Sequence, residues 1–108
     1  MNVIIVGPDR GLGAALEARG ATVTRLEGAA SGDRLREVGI ESADLLVVTD
    51  VSEATAIPVS LELNDDLKTV VYAADSVPEF VRGNLDFAVH PDVLPVEAVA
   101  EELAPAAE

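Results

Sequence analysis

The sequence predicts an α/β domain, a three-layer Rossmann-like doubly wound fold built on a parallel sheet. Short β-branched runs alternate with helix-like segments along the whole chain, and the first of these segments is rich in Ala and Leu. Two of these runs, Leu45–Thr49 and Thr69–Tyr72, are apolar without interruption, which is typical of parallel strands covered on both faces. The first run ends in a glycine turn that leads directly into a helical segment, as a Rossmann βα unit begins.

Five β-like runs account for the predicted sheet. They are Asn2–Val6, Thr22–Leu26, Leu45–Thr49, Thr69–Tyr72 and Phe87–His90. The second run alternates polar and apolar residues, so we expect a half-exposed strand near an edge of the sheet. About five parallel strands with helical connections favour the strand order 2-1-3-4-5.

Five helical segments connect or follow these strands. They are Gly11–Arg19, Ser31–Val38, Ser52–Leu63, Ser76–Arg82 and Pro95–Leu103. Ser31 is the expected cap of the second helix, and Gly39 is the glycine expected just beyond its end. Ser52 is a candidate N-cap for the third, but Pro58 interrupts that pattern and predicts a kink or a later start.

The last two helices also carry terminal signals. Ser76 and Glu79 have the spacing of a capping box, and Gly83 closes that segment. Pro95 stands at or near the first turn of the final helix, where its missing N–H costs nothing.

Length and composition predict a single domain over residues 1–103, followed by a frayed tail over residues 104–108. Hydrophobic residues make up 49% of the 108 residues, so the chain can build a core. The absence of cysteine excludes disulfides, thiolate metal sites and a cysteine nucleophile. No apolar run approaches about 20 residues and no basic leader precedes the first strand, so we expect a cytoplasmic protein without membrane insertion.

The charge is strongly negative. Twenty acidic residues against seven basic ones give a net charge of −13, and Lys68 is the only lysine. Such a surface repels nucleic acid and anionic membranes. An acidic, lysine-poor chain with a core of small residues is typical of an extreme halophile, and an ordinary acidic bacterial protein is the alternative.

The glycine turn after the first strand is the first candidate site. Its candidate phosphate-binding residues are Gly7, Asp9, Arg10, Gly11 and Gly13. The fingerprint G-x-G-x-x-G is incomplete, because Asp9 and Leu12 stand where it has glycines. A carboxylate at Asp9 would repel a diphosphate unless it turned away or bound a cation, although Arg10 could contact phosphate. The turn is therefore either a nucleotide site or a purely structural turn.

Polar residues after the second and third strands form the other half of this candidate site. Glu27 lies 20 residues after Gly7, close to the spacing of a ribose-binding carboxylate. Thr49 ends the third strand and Asp50 follows it, and both should lie on the opposite side of the same crevice, unless Asp50 only caps the next helix. His90 lacks partners at ligand spacing, so we predict no metal site and no catalytic residues.

Several motifs in a fixed order resemble the N-terminal domain of TrkA and the RCK domains that regulate potassium transport. The first strand with Gly7 matches the opening of that family, and Glu27 falls where the family has an acidic residue. The longest match is L-R-E-V-G-I-E-S-A-D-L-L-V-V-T-D at residues 35–50. The remaining matches are Arg19–Val23, Ser52–Ala54 and Asp86–Pro91. One strand–helix unit and the C-terminal ligand domain of that family are missing.

The resemblance implies a non-catalytic module that binds NAD(H), ATP, ADP or AMP, with the glycine turn on the pyrophosphate and Glu27 on a ribose. It also implies a homodimer, or a partner such as a separately encoded transporter or regulatory subunit. The alternative is a degenerate Rossmann domain that has lost its ligand and acts through protein contacts. An accessory enzyme of nucleotide metabolism is the third hypothesis.

Overall fold

A computed structural model describes residues 1–74 and 76–104 of the chain. Five strands form one parallel sheet in the order β2-β1-β3-β4-β5. The strands are β1 (Asn2–Val6), β2 (Thr22–Leu26), β3 (Leu45–Val48), β4 (Lys68–Tyr72) and β5 (Phe87–Val89). The α/β class, the strand number and the strand order predicted from the sequence are thereby confirmed.

Helices cover both faces of the sheet. They are α1 (Leu12–Glu17), α2 (Gly32–Glu37), α3 (Ala56–Leu63), α4 (Glu79–Arg82) and α5 (Val96–Leu103), with short 3₁₀ turns at Ile40–Ser42 and Val51–Glu53. The two longest have eight residues each, and no helix of the described ranges is long and apolar enough to cross a bilayer.

Alternation along the strands divides the core into two halves. In β1, the side chains of Val3 and Ile5 pack with α1 and α5, while Ile4 and Val6 pack with α2, α3 and α4. All four residues of β3 are buried, as the uninterrupted apolar run predicted. The edge strand β2 is only partly covered, as its alternating sequence predicted.

Three helix termini follow the sequence prediction. The Ser31 hydroxyl accepts a hydrogen bond from the Arg34 backbone N–H at 3.2 Å, which caps α2. Gly39 follows this helix with φ 88°, the left-handed conformation that glycine adopts most readily. Pro58 lies in the first turn of α3, which begins at Ala56, so the later start that this proline predicted is confirmed.

Two predicted caps are wrong. Asp50, rather than Ser52, caps the segment after β3: its carboxylate accepts hydrogen bonds from the Ser52 backbone N–H (3.0 Å) and the Ser52 hydroxyl (2.7 Å). The capping box of Ser76 and Glu79 does not form, because α4 begins after Pro78 without a side-chain cap. A residue that precedes proline avoids the helical conformation, so the helix starts beyond Pro78.

The last helix ends in a contact with the first. Ala104 is buried at 5% exposure, and its carbonyl accepts a hydrogen bond from the Arg19 Nε. The rest of the predicted frayed tail, residues 105–108, lies outside the described residues.

Candidate functional site

A crevice opens at the carboxyl ends of the strands, where the chain order reverses between β1 and β3. Ligands of open parallel sheets bind at this position. The crevice has a volume of about 380 Å³. Its lining residues are Gly7, Pro8, Glu27, Gly28, Asp50 and Glu53.

Gly7 ends β1 in a conformation that requires glycine. Its φ is 110°, and a Cβ atom at this position would lie 2.5 Å from the Thr49 Oγ1. Its backbone N–H donates to the Leu26 carbonyl at 3.1 Å, which joins the turn to the end of β2. Gly7 is therefore needed for the packing of the strand ends, whether or not a ligand binds.

Thr49 supports the glycine turn from below. The residue is fully buried. Its hydroxyl donates toward the Pro8 carbonyl oxygen at 2.5 Å, and the Val6 carbonyl oxygen is a second possible acceptor at 3.3 Å. The prediction that Thr49 faces the crevice is wrong, since a buried hydroxyl with these backbone partners satisfies the turn and does not line the opening.

Asp9 folds back onto the start of α1. Its Oδ1 accepts a hydrogen bond from the Gly13 backbone N–H at 3.1 Å, and its Oδ2 forms an ion pair with the Arg25 Nε. Glu17 lies 3.5 Å from the second guanidinium nitrogen of Arg25. A carboxylate thus occupies the end of the helix where a nucleotide phosphate would bind in a Rossmann turn.

The environment of Asp9 keeps its carboxyl ionised. Partial burial raises the pKa of Asp9, but hydrogen bonds from the Arg25 side chain and the Gly13 backbone, together with the Arg25 charge, outweigh burial and lower the pKa. The hydrogen bond that Arg25 donates to Asp9 is in turn the main cause that raises the pKa of Arg25. The two groups therefore hold each other in their charged forms.

The other glycines of the turn accommodate this pair. A Cβ atom at Gly13 would collide with the Arg25 guanidinium and the Asp9 carboxylate. Arg10 has φ 57° and Gly11 has φ 83°, so the chain passes through two left-handed residues before α1. Gly11 lies at a separate groove between α1 and α5. The prediction that Gly11 and Gly13 line one crevice with Gly7 and Glu27 is therefore wrong.

Three carboxylates line the crevice itself. Asp50 caps the turn after β3, and its pKa is lowered. The largest cause is the hydrogen bond from the Ser52 hydroxyl, followed by the one from the Ser52 backbone N–H, and the Arg10 charge has a smaller effect. Glu53 accepts a hydrogen bond from the Ala30 backbone N–H at 3.0 Å, and Glu27 lies exposed at the end of β2. The lining is acidic, and this disfavours an anionic ligand.

Metal binding has no support in the described ranges 1–74 and 76–104, where no group of three or more His, Asp or Glu side chains could hold an ion. His90 Nδ1 accepts a hydrogen bond from the Asp92 backbone N–H at 3.0 Å, so its visible role is to close the turn after β5.

The structure thus brings Gly7, Glu27 and Asp50 together around the crevice. Thr49 is buried beneath the Gly7 turn, and Asp9 and the start of α1 do not line the crevice. Sequence reasoning missed Glu53 as a lining residue and Arg25 as the partner of Asp9. The signal that could have revealed Arg25 is its position near the end of the outer strand β2. There it pairs in register with Ile5 of β1 and so lies near the turn that follows β1.

Comparison with known sequences places the chain in a family. A family of unknown function, DUF7126, matches residues 3–103. The chain belongs to this family. A search of curated proteins finds no match.

Solved structures with the same fold come from different systems. A protein assigned to pilus assembly (cpaE) from Burkholderia thailandensis matches with TM-score 0.69 and 21% identity, over 98% of this chain and 97% of that one. A pilus assembly-related protein from Burkholderia pseudomallei matches with TM-score 0.70 and 21% identity, over 98% and 88%. An atypical orphan response regulator with a phosphorylation-independent mechanism matches with TM-score 0.72 and 15% identity, over 94% and 91%. At these identities the likeness establishes the fold.

Proposed function

We propose that this member of the DUF7126 family is a non-catalytic regulatory domain that acts through contacts with another protein rather than through a bound nucleotide. The supporting observation is the position of Asp9. Its carboxylate accepts the Gly13 backbone N–H and pairs with Arg25, the two groups that a phosphate would otherwise use. A diphosphate at this turn would have to displace an ionised carboxylate from both.

The charge of the crevice supports the same proposal. Glu27, Asp50 and Glu53 line it, and a phosphate placed there would meet three carboxylates. The same fold occurs in a response regulator with a phosphorylation-independent regulatory mechanism, so this fold can serve regulation without phosphorylation. The partner under this proposal is a separately encoded regulatory or transport subunit.

Calorimetric titration with NAD, NADH, ATP, ADP and AMP in about 2 M KCl tests the proposal, since such salt screens repulsion among the acidic residues. We expect no binding heat from any of the five ligands, with circular dichroism as the check that the protein is folded. Micromolar binding of any of them refutes the proposal.

A nucleotide-sensing module of the TrkA type, linked to potassium transport, is the second candidate. Gly7, Glu27 and Asp50 do share one crevice of about 380 Å³, and a ribose could hydrogen-bond to the two carboxylates. The same titration separates the candidates: binding that is lost in Glu27→Ala but kept in the matched surface variant Glu41→Ala supports the second one.

A further inference from the structure

The outer edge of β5 carries exposed apolar side chains. Among the described strands, β5 ends the sheet and pairs with β4 alone. The Phe87 side chain is 50% exposed and Val93, just beyond the strand, is 72% exposed. Aromatic residues make up only 3% of the chain, so a half-exposed phenylalanine on an unpaired strand edge indicates a contact surface.

An apolar groove lies beside this strand, on the sheet face covered by α5. Its volume is about 340 Å³. Its lining residues are Phe87, Val89, Leu94, Val99, Glu102 and Leu103. The surface therefore offers a half-exposed ring and, beside it, an apolar recess.

We propose that β5 pairs with β5 of a second copy of this chain, antiparallel and centred on Ala88, so that two five-stranded sheets join into one. In this register Phe87 of each copy lies opposite Val89 of the other. Aromatic residues opposite β-branched ones are favourable cross-strand pairs. The ring of each copy would then lie at the apolar groove beside the other copy's Val89.

The same register brings Asp86 of each copy opposite His90 of the other. His90 Nδ1 accepts the Asp92 N–H, so in the neutral ring the hydrogen is on Nε2, which can donate to a carboxylate. Asp86 already accepts the Thr69 backbone N–H at 2.8 Å and has lone pairs for a second donor. The strand thus has a hydrogen-bond acceptor, Asp86, before its apolar residues and a donor, His90, after them. When two copies pair antiparallel, each acceptor lies opposite a donor of the other copy.

Charge also favours this edge over the rest of the surface. At a net charge of −13, two copies repel each other over most orientations. Residues 87–89 carry no charge, and the pairing closes after two copies because the contact is symmetric. The edge lies away from the crevice at β1 and β3, so the inference is independent of the proposed function.

Light scattering coupled to gel filtration in about 2 M KCl tests the proposal over a concentration series. We expect twice the monomer mass for the wild type. Phe87→Asp and His90→Asp should raise the dissociation constant about tenfold or more, because the first places a charge against Val89 and the second places two carboxylates opposite each other. His90→Lys should keep the dimer. Thr22→Asp is the matched control, since it adds the same charge to the exposed edge strand on the other side of the sheet.

Three results would overturn the inference. The wild type could remain a monomer up to about millimolar concentration. Its dimer could be insensitive to Phe87→Asp, which would place the contact elsewhere. A dimer that is weakened by Phe87→Asp but unaffected by His90→Asp would contradict the register. Circular dichroism checks that each variant is folded, and Phe87→Gln, which adds no charge, replaces Phe87→Asp if that variant unfolds.

Discussion

Removal of the Asp9 carboxylate should destabilise the fold, and two variants separate its contact with Arg25 from its hydrogen bond with the Gly13 N–H. Asp9→Asn keeps an oxygen for the Gly13 N–H, but it replaces the oxygen that faces Arg25 with an amide NH2 and so removes both the charge and the acceptor for Arg25. The paired side chains are 29% and 37% exposed, so the loss should be about 0.5–1 kcal/mol at low salt. Asp9→Ala also leaves the Gly13 N–H without its acceptor, which resembles the loss of a helix cap and adds about 1 kcal/mol.

Urea denaturation followed by circular dichroism at about 0.3 M and 2 M KCl measures both steps without adding an ionic denaturant. The control is Asp65→Asn, which removes one negative charge from an exposed loop position. High salt should shrink the Asp9→Asn effect, because the Debye length falls below about 3 Å, and should leave the additional Asp9→Ala effect in place. If Asp9→Ala unfolds at the same urea concentration as Asp65→Asn, the carboxylate does not support the turn.

Three further predictions concern the same turn. Arg25→Gln should raise the pKa of Asp9, which carbon NMR titration measures. Because the folded-state pKa of Asp9 is depressed, its carboxylate stabilises the fold at pH values above its unfolded-state pKa. This contribution disappears as the pH falls through the folded-state pKa. Thr49→Val should lower the free energy of unfolding by about 1–2 kcal/mol in urea, because the Pro8 carbonyl loses its donor, and Thr49→Ser should recover most of it. Gly7→Ala should lower the thermal midpoint more than Gly83→Ala, whose added Cβ meets open space.

The layout of the sheet could be predicted because it depends on patterns that the sequence displays. Uninterrupted apolar runs indicate buried parallel strands, and β3 is buried along its whole length. The alternation in Thr22–Leu26 predicted an outer strand, and β2 is one. These signals are local, so they do not depend on tertiary contacts.

Details that depend on competition between neighbouring groups could not be predicted. Asp50 and Ser52 are both good caps, and only the geometry after β3 decides that the carboxylate accepts from the serine. The role of Asp9 depends on Arg25, 16 positions later, which only strand pairing brings close. The sequence indicated that Asp9 is unsuited to phosphate but could not show which group neutralises it.

The two halves of the core differ in when they can form. The half under α2, α3 and α4 uses helices from the middle of the chain, whereas the other half needs α1 and α5, the first and last helices. During synthesis, α1 can cover part of the sheet face that carries Val3 and Ile5, and the cover is complete only when α5 has been made. We expect the nascent domain to expose part of one apolar sheet face until α5 leaves the ribosome, and the Arg19 contact with Ala104 to be among the last to close.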